Sequence, residues 1–466
     1  MKKFAATVIL IALTILAFAG IYRVLSWKDT MGDYLSSVQQ LYATDRNTID
    51  VLFVGSSHVY GDINPDVIWR EQGFSSFDMA ISGQDAPAAY HYTLEALKTQ
   101  SPQVVMVDLL AASFEEGTTG NTYRSMLPMR TGVNQVRMVM EDPNTEKNRG
   151  DYILKWPVIH SRYRELGAYD FITNDYSDYG RGYCYRFTVA DIPHDPAWDA
   201  LTEADELSER NRKWIDDLVT LSEEREFELA FTLLPYEIHE WDRRIYNGIF
   251  AYLDELEVPY LTDRALFECS CLDYETDYLD FDHLNASGGE KLSRWLGGYL
   301  ASHYALEDHR GDAAYHQWDE SLAWADRLCL GQEIMEMNVP TPYFERISGE
   351  EGLVTLVWLD GDYASSSLNL ERAGESLGLK GGFFERQGVA VIRDGKLLAY
   401  LNSDPGEDYF LDLDETQILK VHSSSDAKHP CDVFLNGELV FEPFDGLGVL
   451  VWDPLTGTVL DKKIFY

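Results

Sequence analysis

Three short apolar runs separated by helical stretches constrain the fold of this 466-residue chain more than any other feature. The runs, at residues 50–54, 77–81 and 104–109, consist mainly of Val, Leu, Phe, Ile and Met. Strands buried on both faces, as in parallel sheets, have this continuous apolar character. Helical stretches at residues 67–71 and 88–99 lie between the runs. This alternation at short spacing predicts an α/β fold with a parallel sheet flanked by helices.

Strand and helix patterns return after residue 200 and extend the same fold. Residues 113–195, in contrast, show weak periodicity and are expected to form insertions over one end of the sheet. The later pattern predicts helices at 203–225, 241–256 and 286–304 and strands at 228–234 and 258–261. Asn285 or Ser287 would be the N-terminal cap of the last helix.

Beyond residue 340 the chain changes character. Strand-like segments are separated by Asp394-Gly395, Asn436-Gly437 and other turns typical of hairpins. A smaller, mostly β domain is therefore expected at the C-terminal end. The predicted domains are an N-terminal membrane anchor or signal at 1–27, an α/β domain at 28–304, a helical connector at 305–340 and a β-rich accessory domain at 341–466.

The N-terminal segment is apolar or small from Phe4 to Tyr22, and two lysines precede it. Its length is close to that needed to span a bilayer. It is either a signal peptide cleaved after Ala17-Phe18-Ala19 or an uncleaved anchor, and we favour the anchor because the apolar run continues past that site. The lysines predict a cytoplasmic N-terminus and an extracytoplasmic α/β domain. We expect a single-pass protein of the cell membrane, with secretion after cleavage as the alternative.

Composition excludes some classes of function. The formal net charge of −40 argues against a nucleic-acid partner, because phosphates would be repelled. The five cysteines form no regular disulfide framework, and Cys269-Ser-Cys271 lacks the spacing of a zinc site. We therefore predict no metal and no cofactor.

Two short motifs carry the predicted chemistry. Gly55-Ser56-Ser57-His58 follows the first strand, and Asp280-Phe281-Asp282-His283 follows the last. Together they supply the hydroxyl, imidazole and carboxylate that a serine nucleophile needs. Ser57 is the predicted nucleophile and Ser56 the alternative.

The strand order implies that these motifs meet. Open α/β sheets bind ligands beyond the carboxyl ends of their strands, where Ser57, Gly83 and the Asp280–His283 motif all fall. His283 would take the proton of Ser57, and Asp280 would orient the imidazole. The amides of Ser57 and Gly83, together with Gln84, would hold the oxyanion.

These residues resemble the SGNH/GDSL hydrolase superfamily. Four stretches are similar to membrane-anchored SGNH proteins that accompany membrane-bound O-acyltransferases in acylating bacterial alginate, teichoic acids or exopolysaccharides: 50–58, 63–65, 82–84 and 282–288. The resemblance covers residues 28–304 and the single anchor. It implies a flavodoxin-like sheet, a triad of Ser57, His283 and Asp280, and Gly83 as an oxyanion donor. We also place Asn285, within the last stretch, among the oxyanion or substrate-binding residues.

The chain departs from that family in one block. The superfamily has a Gly-x-Asn-Asp motif whose Asn contacts the oxyanion, whereas Leu110-Ala111-Ala112-Ser113 follows the third strand here. Gln84 is the predicted substitute. A weaker C-terminal likeness, at 388–392 and 446–453, is to interleukin-like domains related to carbohydrate-binding stem domains.

Two functions are consistent with the resemblance. The first is an extracytoplasmic serine acyltransferase or esterase that adds or removes acyl groups, in particular acetyl, on cell-surface polysaccharide through an acyl-enzyme at Ser57. The second is a catalytically degenerate SGNH scaffold or glycan-binding protein that partners a membrane-bound O-acyltransferase.

Overall fold

The structure is a computed structural model that describes residues 2–29, 35–114, 122–171, 178–359, 374–379, 388–402, 408–412, 418–423, 431–441 and 447–465. The chain forms two compact units, Met1–Leu322 and Ala323–Tyr466. The division between them falls inside a long helix, His316–Glu336, which the sequence analysis placed in the connector.

The first unit contains most of the helices and one parallel sheet. Its strands are β1 (Val51–Gly55), β2 (Ser76–Ala80), β3 (Val104–Asp108), β4 (Glu228–Thr232) and β5 (Tyr260–Leu261). Its helices are α1 (Lys2–Leu25), α2 (Leu35–Ala43), α3 (Ser57–Asp62), α4 (Pro65–Gln72), α5 (Ala86–Ala96), α6 (Thr122–Met126), α7 (Val133–Glu141), α8 (Arg149–Leu154), α9 (Trp156–His160), α10 (Pro196–Asp199), α11 (Glu209–Arg225), α12 (Glu240–Leu256), α13 (Asp263–Cys269) and α14 (Ala286–His303). The helix at the division is α15 (His316–Glu336).

The five strands pair in parallel in the order β2-β1-β3-β4-β5. This is the flavodoxin-like strand order, and it confirms the predicted α/β fold class. Alternate side chains of β1 point to opposite faces of the sheet, and helices cover both faces. Val51 and Phe53 pack into the core beneath α3, α4 and α14, whereas Leu52 and Val54 pack beneath α5, α11 and α12. A ligand site is therefore expected at the carboxyl edge of this sheet.

The main differences from the predicted elements concern helix starts. α3 begins at Ser57, directly after β1, where the sequence predicted no helix before residue 67. α11 begins at Glu209 instead of residue 203, because the Ser208 hydroxyl accepts the Asn211 amide at 3.1 Å and caps the helix there. The weakly periodic region 113–195 contains several short helices.

The second unit is mostly β, as predicted. After α16 (Pro340–Ser348) it contains nine strands within its described residues: β6 (Val354–Leu359), β7 (Gly388–Arg393), β8 (Lys396–Asn402), β9 (Asp408–Asp412), β10 (Ile418–Ser423), β11 (Cys431–Leu435), β12 (Glu438–Phe441), β13 (Leu447–Asp453) and β14 (Thr458–Phe465). They form two antiparallel sheets, in the orders β14-β13-β6-β7-β8 and β12-β11-β10-β9. A core that includes Trp358, Trp452 and Val433 holds the two sheets together.

Helix α1 has the composition of a membrane span. Its apolar stretch, Phe4–Leu25, is 22 residues long with a mean hydropathy of 2.6, and it is exposed from Phe4 to Ile21. A signal sequence has the same properties, so length and composition leave both readings of the N-terminus open.

Candidate active site

The turn from β1 to α3 places Ser57 at the carboxyl edge of the sheet. A Cβ added at Gly55 would lie 2.6 Å from Val59 Cγ2 and 2.9 Å from Asp108 Cβ, so the sharp turn requires glycine there. Ser56, just before α3, is only 1% exposed and its hydroxyl is buried. Ser57 is the first residue of α3 and is partly exposed. Of the two serines, Ser57 is the one that a substrate can reach.

The Asp280–His283 motif forms a compact hydrogen-bonded loop. His283 Nδ1 lies 2.8 Å from Asp280 Oδ1, which also accepts the amides of Asp282 at 2.9 Å and His283 at 3.0 Å. Partial burial raises the pKa of the Asp280 carboxyl, but His283 and these N–H donors outweigh it and lower the pKa overall. The carboxylate is therefore ionised, and it fixes which imidazole nitrogen carries the proton.

The other edge of the His283 ring faces α3. A Cβ added at Gly61 would lie 3.7 Å from His283 Cδ2, the ring atom next to Nε2. Ser57 and Gly61 are four residues apart and therefore share a face of the helix. His283 Nε2 is buried and has no hydrogen-bond partner among the described residues, so it is not bonded to Ser57 in this structure. The structure thus brings Asp280 and His283 together and sets the ring against the face of α3 that begins with Ser57.

Two contacts from the core hold the His283 loop in place. Asp62, the last residue of α3, accepts the Leu284 amide at 2.9 Å. The amide of Glu237, which follows β4, donates to the Phe281 carbonyl at 3.0 Å. The loop is therefore tied on one side to the helix that carries Ser57 and on the other to the end of the sheet.

Three carboxyl groups are buried beneath this edge. Asp62 is buried with Oδ2 unpartnered, and Asp78 has neither oxygen paired among the described residues. Burial raises the pKa of both carboxyl groups well above the ordinary value, which favours their protonated forms. Asp108, the last residue of β3, accepts the Leu234 amide at 3.2 Å, and burial raises its pKa to about 7. A short 3₁₀ helix, Leu109–Ala112, follows it.

Gly83 and Gln84 lie in the turn after β2. Gly83 has a φ of +66°, in the left-handed region, and a Cβ added there would meet no atom within 4 Å. The Gln84 backbone amide is used within the turn, since it donates to Ile81 O at 2.9 Å. Its side chain is fully buried, and both polar atoms lack partners among the described residues. A buried side-chain amide without hydrogen-bond partners is unusual and calls for a specific explanation, such as a catalytic role.

Both polar atoms of the Asn285 side chain form hydrogen bonds within the protein. Its Oδ1 accepts the amides of Ser287 at 3.0 Å and Gly288 at 3.1 Å and so caps α14. Its Nδ2 donates to Thr276 O at 2.8 Å and Tyr278 O at 3.3 Å. The predicted cap is confirmed. Because these bonds leave no side-chain donor for an oxyanion, we assign Asn285 a positioning role.

Sequence reasoning missed His58 and Asp62 as neighbours of the site. The His58 ring centroid lies 5.6 Å from that of His283 and 4.8 Å from that of Tyr236. Burial, with a smaller effect of His283, lowers the pKa of His58 well below its ordinary value, so it is neutral. The position of His58 next to Ser57 was a signal for this contact, whereas no local pattern points to Asp62.

Comparison with known proteins adds little. No protein-family model matches the chain, and no curated protein matches it. One similar solved structure is a candidate acylhydrolase from Bacteroides fragilis, with 12% identity and a TM-score of 0.29 over 59% of this chain and 99% of that chain. Another is a GDSL-like lipase from Bacteroides thetaiotaomicron, with 12% identity and a TM-score of 0.26 over 59% and 100%. Likeness at this level carries no argument about activity, and the fold assignment rests on the strand order.

Proposed function

We propose that the chain is a serine esterase or O-acyltransferase of the SGNH type, with Ser57 as nucleophile, His283 as general base and Asp280 as the orienting carboxylate. The observation that carries the proposal is the state of the His283 ring. Its Nδ1 is bonded to an ionised carboxylate, and its Nε2 is buried without a partner among the described residues, beside α3. A neutral imidazole held in this way is prepared to accept a proton at Nε2.

The reaction runs in two steps. Ser57 Oγ attacks the carbonyl carbon of an ester while its proton passes to His283 Nε2, and the leaving hydroxyl takes that proton as the old ester bond breaks. A sugar hydroxyl or water then attacks the Ser57 ester, gives its proton to His283, and Ser57 recovers the proton as it leaves. The same residues therefore serve transfer and hydrolysis.

Several donors are suited to the oxyanion. Ser57 is the first residue of α3, and N–H groups in the first turn of a helix lack intrahelical acceptors. The left-handed turn at Gly83 and the Gln84 side-chain amide, unpartnered among the described residues, follow the neighbouring strand. Donors fixed before the reaction stabilise the charge that develops in the transition state.

The substrate class and location complete the proposal. Residues 28–304 would lie outside the membrane on the anchor α1, and the acyl acceptor would be a hydroxyl of a cell-surface polysaccharide. A membrane-bound O-acyltransferase would be the partner that supplies acyl groups. The motifs shared with membrane-anchored SGNH proteins and the span-like composition of α1 support this placement.

Labelling with a fluorophosphonate tests the nucleophile directly. The detergent-solubilised full chain should be labelled in wild type and in Ser56→Ala, whereas Ser57→Ala should lose the label. Mass spectrometry of the labelled peptide separates the two neighbouring serines. Ser56→Ala is a matched control because its hydroxyl is buried in the same turn.

The alternative function makes the opposite prediction. A degenerate scaffold would show no label, and Ser57→Ala would restore surface polymer acylation as well as wild type in cells that lack the protein. Either absence of label in wild type or equal label in Ser57→Ala contradicts the proposed mechanism.

A further inference from the structure

The segment from Trp156 to Arg162 packs against the side of α1, near its C-terminal end. The ring of Trp156, the first residue of α9, lies 4.7 Å from the ring of Phe18 between centroids. Arg162 donates to the Leu25 carbonyl at 3.0 Å, and its guanidinium lies 4.9 Å from the ring of Trp27. These contacts extend from Phe18 to just beyond the end of α1.

The length of α1 indicates at what depth these contacts would lie in a bilayer. Its apolar stretch, Phe4–Leu25, has 22 residues and would span about 33 Å, close to the hydrocarbon thickness of about 30 Å. The residues before Phe18 alone would span only about 21 Å. If α1 crosses the membrane, the bilayer must therefore extend beyond Phe18. Trp156 would then lie inside the outer boundary of the bilayer, about 10 Å below the end of the helix.

The surface next to these contacts exposes large apolar side chains. Leu154, at the end of α8, is 71% exposed, and Phe171 is 66% exposed. Tyr163 is 51% exposed. Trp and Tyr are the residues enriched at the boundary between membrane and water, where an apolar ring and a polar edge are both satisfied.

The charge of this region differs from that of the whole chain. Residues 149–171 contain four Lys or Arg and three Asp or Glu, within a chain of net charge −40. Arg164 is exposed and stacks over the Tyr163 ring at 5.1 Å. Basic side chains close to a bilayer are attracted by anionic phospholipid headgroups. Repulsion between the acidic remainder and the same headgroups would favour one orientation of the first unit.

We propose that residues 149–171 form a membrane-binding surface that inserts Leu154 and Trp156 at the boundary of the acyl chains and places the exposed Arg164 among anionic phospholipid headgroups. The proposal rests on the anchor reading of α1 in the proposed function. It adds a second membrane contact beside α1 and sets the orientation of the first unit.

Quenching by brominated lipids tests the depth of Trp156. The full chain is placed in nanodiscs of phosphatidylcholine and phosphatidylglycerol with bromine on the upper acyl chain, without any other protein. The chain has 11 tryptophans, so the contribution of Trp156 is the difference between wild type and Trp156→Phe, which keeps an aromatic ring beside Phe18. Trp241→Phe is the matched control because Trp241 is 64% exposed on α12.

The expected result is that bromolipid quenches wild type and Trp241→Phe equally and quenches Trp156→Phe less. Equal quenching of wild type and Trp156→Phe would overturn the proposal and would leave a membrane-protein partner as the occupant of this surface. Replacing the lipid mixture by phosphatidylcholine alone should reduce the contribution of Trp156 to the quenching of wild type. It should not reduce that contribution in Arg164→Gln. The same reduction in both proteins would show that Arg164 does not contact the headgroups.

Failure of this proposal and failure of the proposed function are distinguishable. Extraction with alkaline carbonate reports whether α1 is inserted, and fluorophosphonate labelling reports on Ser57. An inserted, labelled protein whose Trp156 is unquenched contradicts the membrane-binding surface alone.

Discussion

The two halves of the candidate active site are held in different ways. Ser57 begins a helix whose other residues, His58 to Asp62, are all buried, and it follows a strand that is buried throughout. The side chain of Asp280 is 49% exposed, and that of Phe281 is also about half exposed. The core thus sets the position of Ser57, the proposed nucleophile, whereas a few hydrogen bonds hold the loop that carries His283, the proposed base.

This difference separates effects on stability from effects on rate. Changes beneath Ser57 disturb packed or desolvated groups and should appear in the free energy of unfolding. Changes in the Asp280–His283 loop should leave the fold nearly intact and appear in the chemistry. Four substitutions test the contrast, from the largest expected effect to the smallest.

His283→Ala should have the largest effect. Loss of the general base should slow fluorophosphonate labelling of Ser57 by about three orders of magnitude or more. Labelling kinetics and thermal unfolding measured side by side check it. Asp282→Asn, exposed in the same loop, should label at the wild-type rate. An equal loss of labelling rate in His283→Ala and Asp282→Asn would mean that labelling depends on the structure of the loop and not on the imidazole.

Asp108→Asn should change how stability depends on pH. The pKa of Asp108 is about 7 in the folded protein, above its value in the unfolded chain. The contribution of Asp108 to the free energy of unfolding is thus fully present below about pH 4. It is lost as the pH rises through 7, by up to about 4 kcal/mol. Denaturant unfolding at pH 5 and pH 8 should show a smaller loss for Asp108→Asn than for wild type. An identical loss in both would show that Asp108 titrates normally.

Asp62→Ala should affect both halves, because Asp62 connects them. The buried Leu284 amide would lose its acceptor, at a cost of about 1–3 kcal/mol. Labelling of Ser57 should slow as the loop loosens, and Asp62→Asn, which keeps an acceptor, should restore most of the rate. Wild-type labelling by Asp62→Ala would mean that this bond does not position the base.

Asn285→Ala should have the smallest effect. Loss of the cap of α14 should cost about 1 kcal/mol in the free energy of unfolding. Its labelling rate should stay within a few fold of wild type if the role is positioning. A large loss of labelling without a loss of stability would instead support the contact with substrate that the sequence predicted.

The sequence predicted those parts of the site that depend on local pattern. The strand before Ser57, the pairing of Asp280 with His283 and the cap at Asn285 all depend on spacing within a few residues. The parallel sheet could be predicted because its strands are continuous apolar runs.

The remaining features depend on contacts that no local pattern contains. Asp62 and Leu284 are 222 positions apart, and the Glu237 contact with Phe281 joins two loops. The start of α3 at Ser57 was missed because His58-Val59-Tyr60-Gly61 has weak intrinsic helix propensity. Burial in the core overrides that propensity. Burial of Asp78 inside a strand likewise raises the pKa of its carboxyl, which no local pattern predicts.

The contacts of Trp156 and Arg162 with α1 have a mechanical consequence. A domain joined to a membrane helix only by a flexible linker is indifferent to the angle of that helix. Here Trp156 and Arg162 contact α1 at Phe18 and Leu25, so if α1 crosses the membrane, as proposed, the rest of the first unit should tilt together with it. Because transmembrane helices tilt more in thinner bilayers, membrane thickness would set the height and direction at which Ser57 meets its substrate.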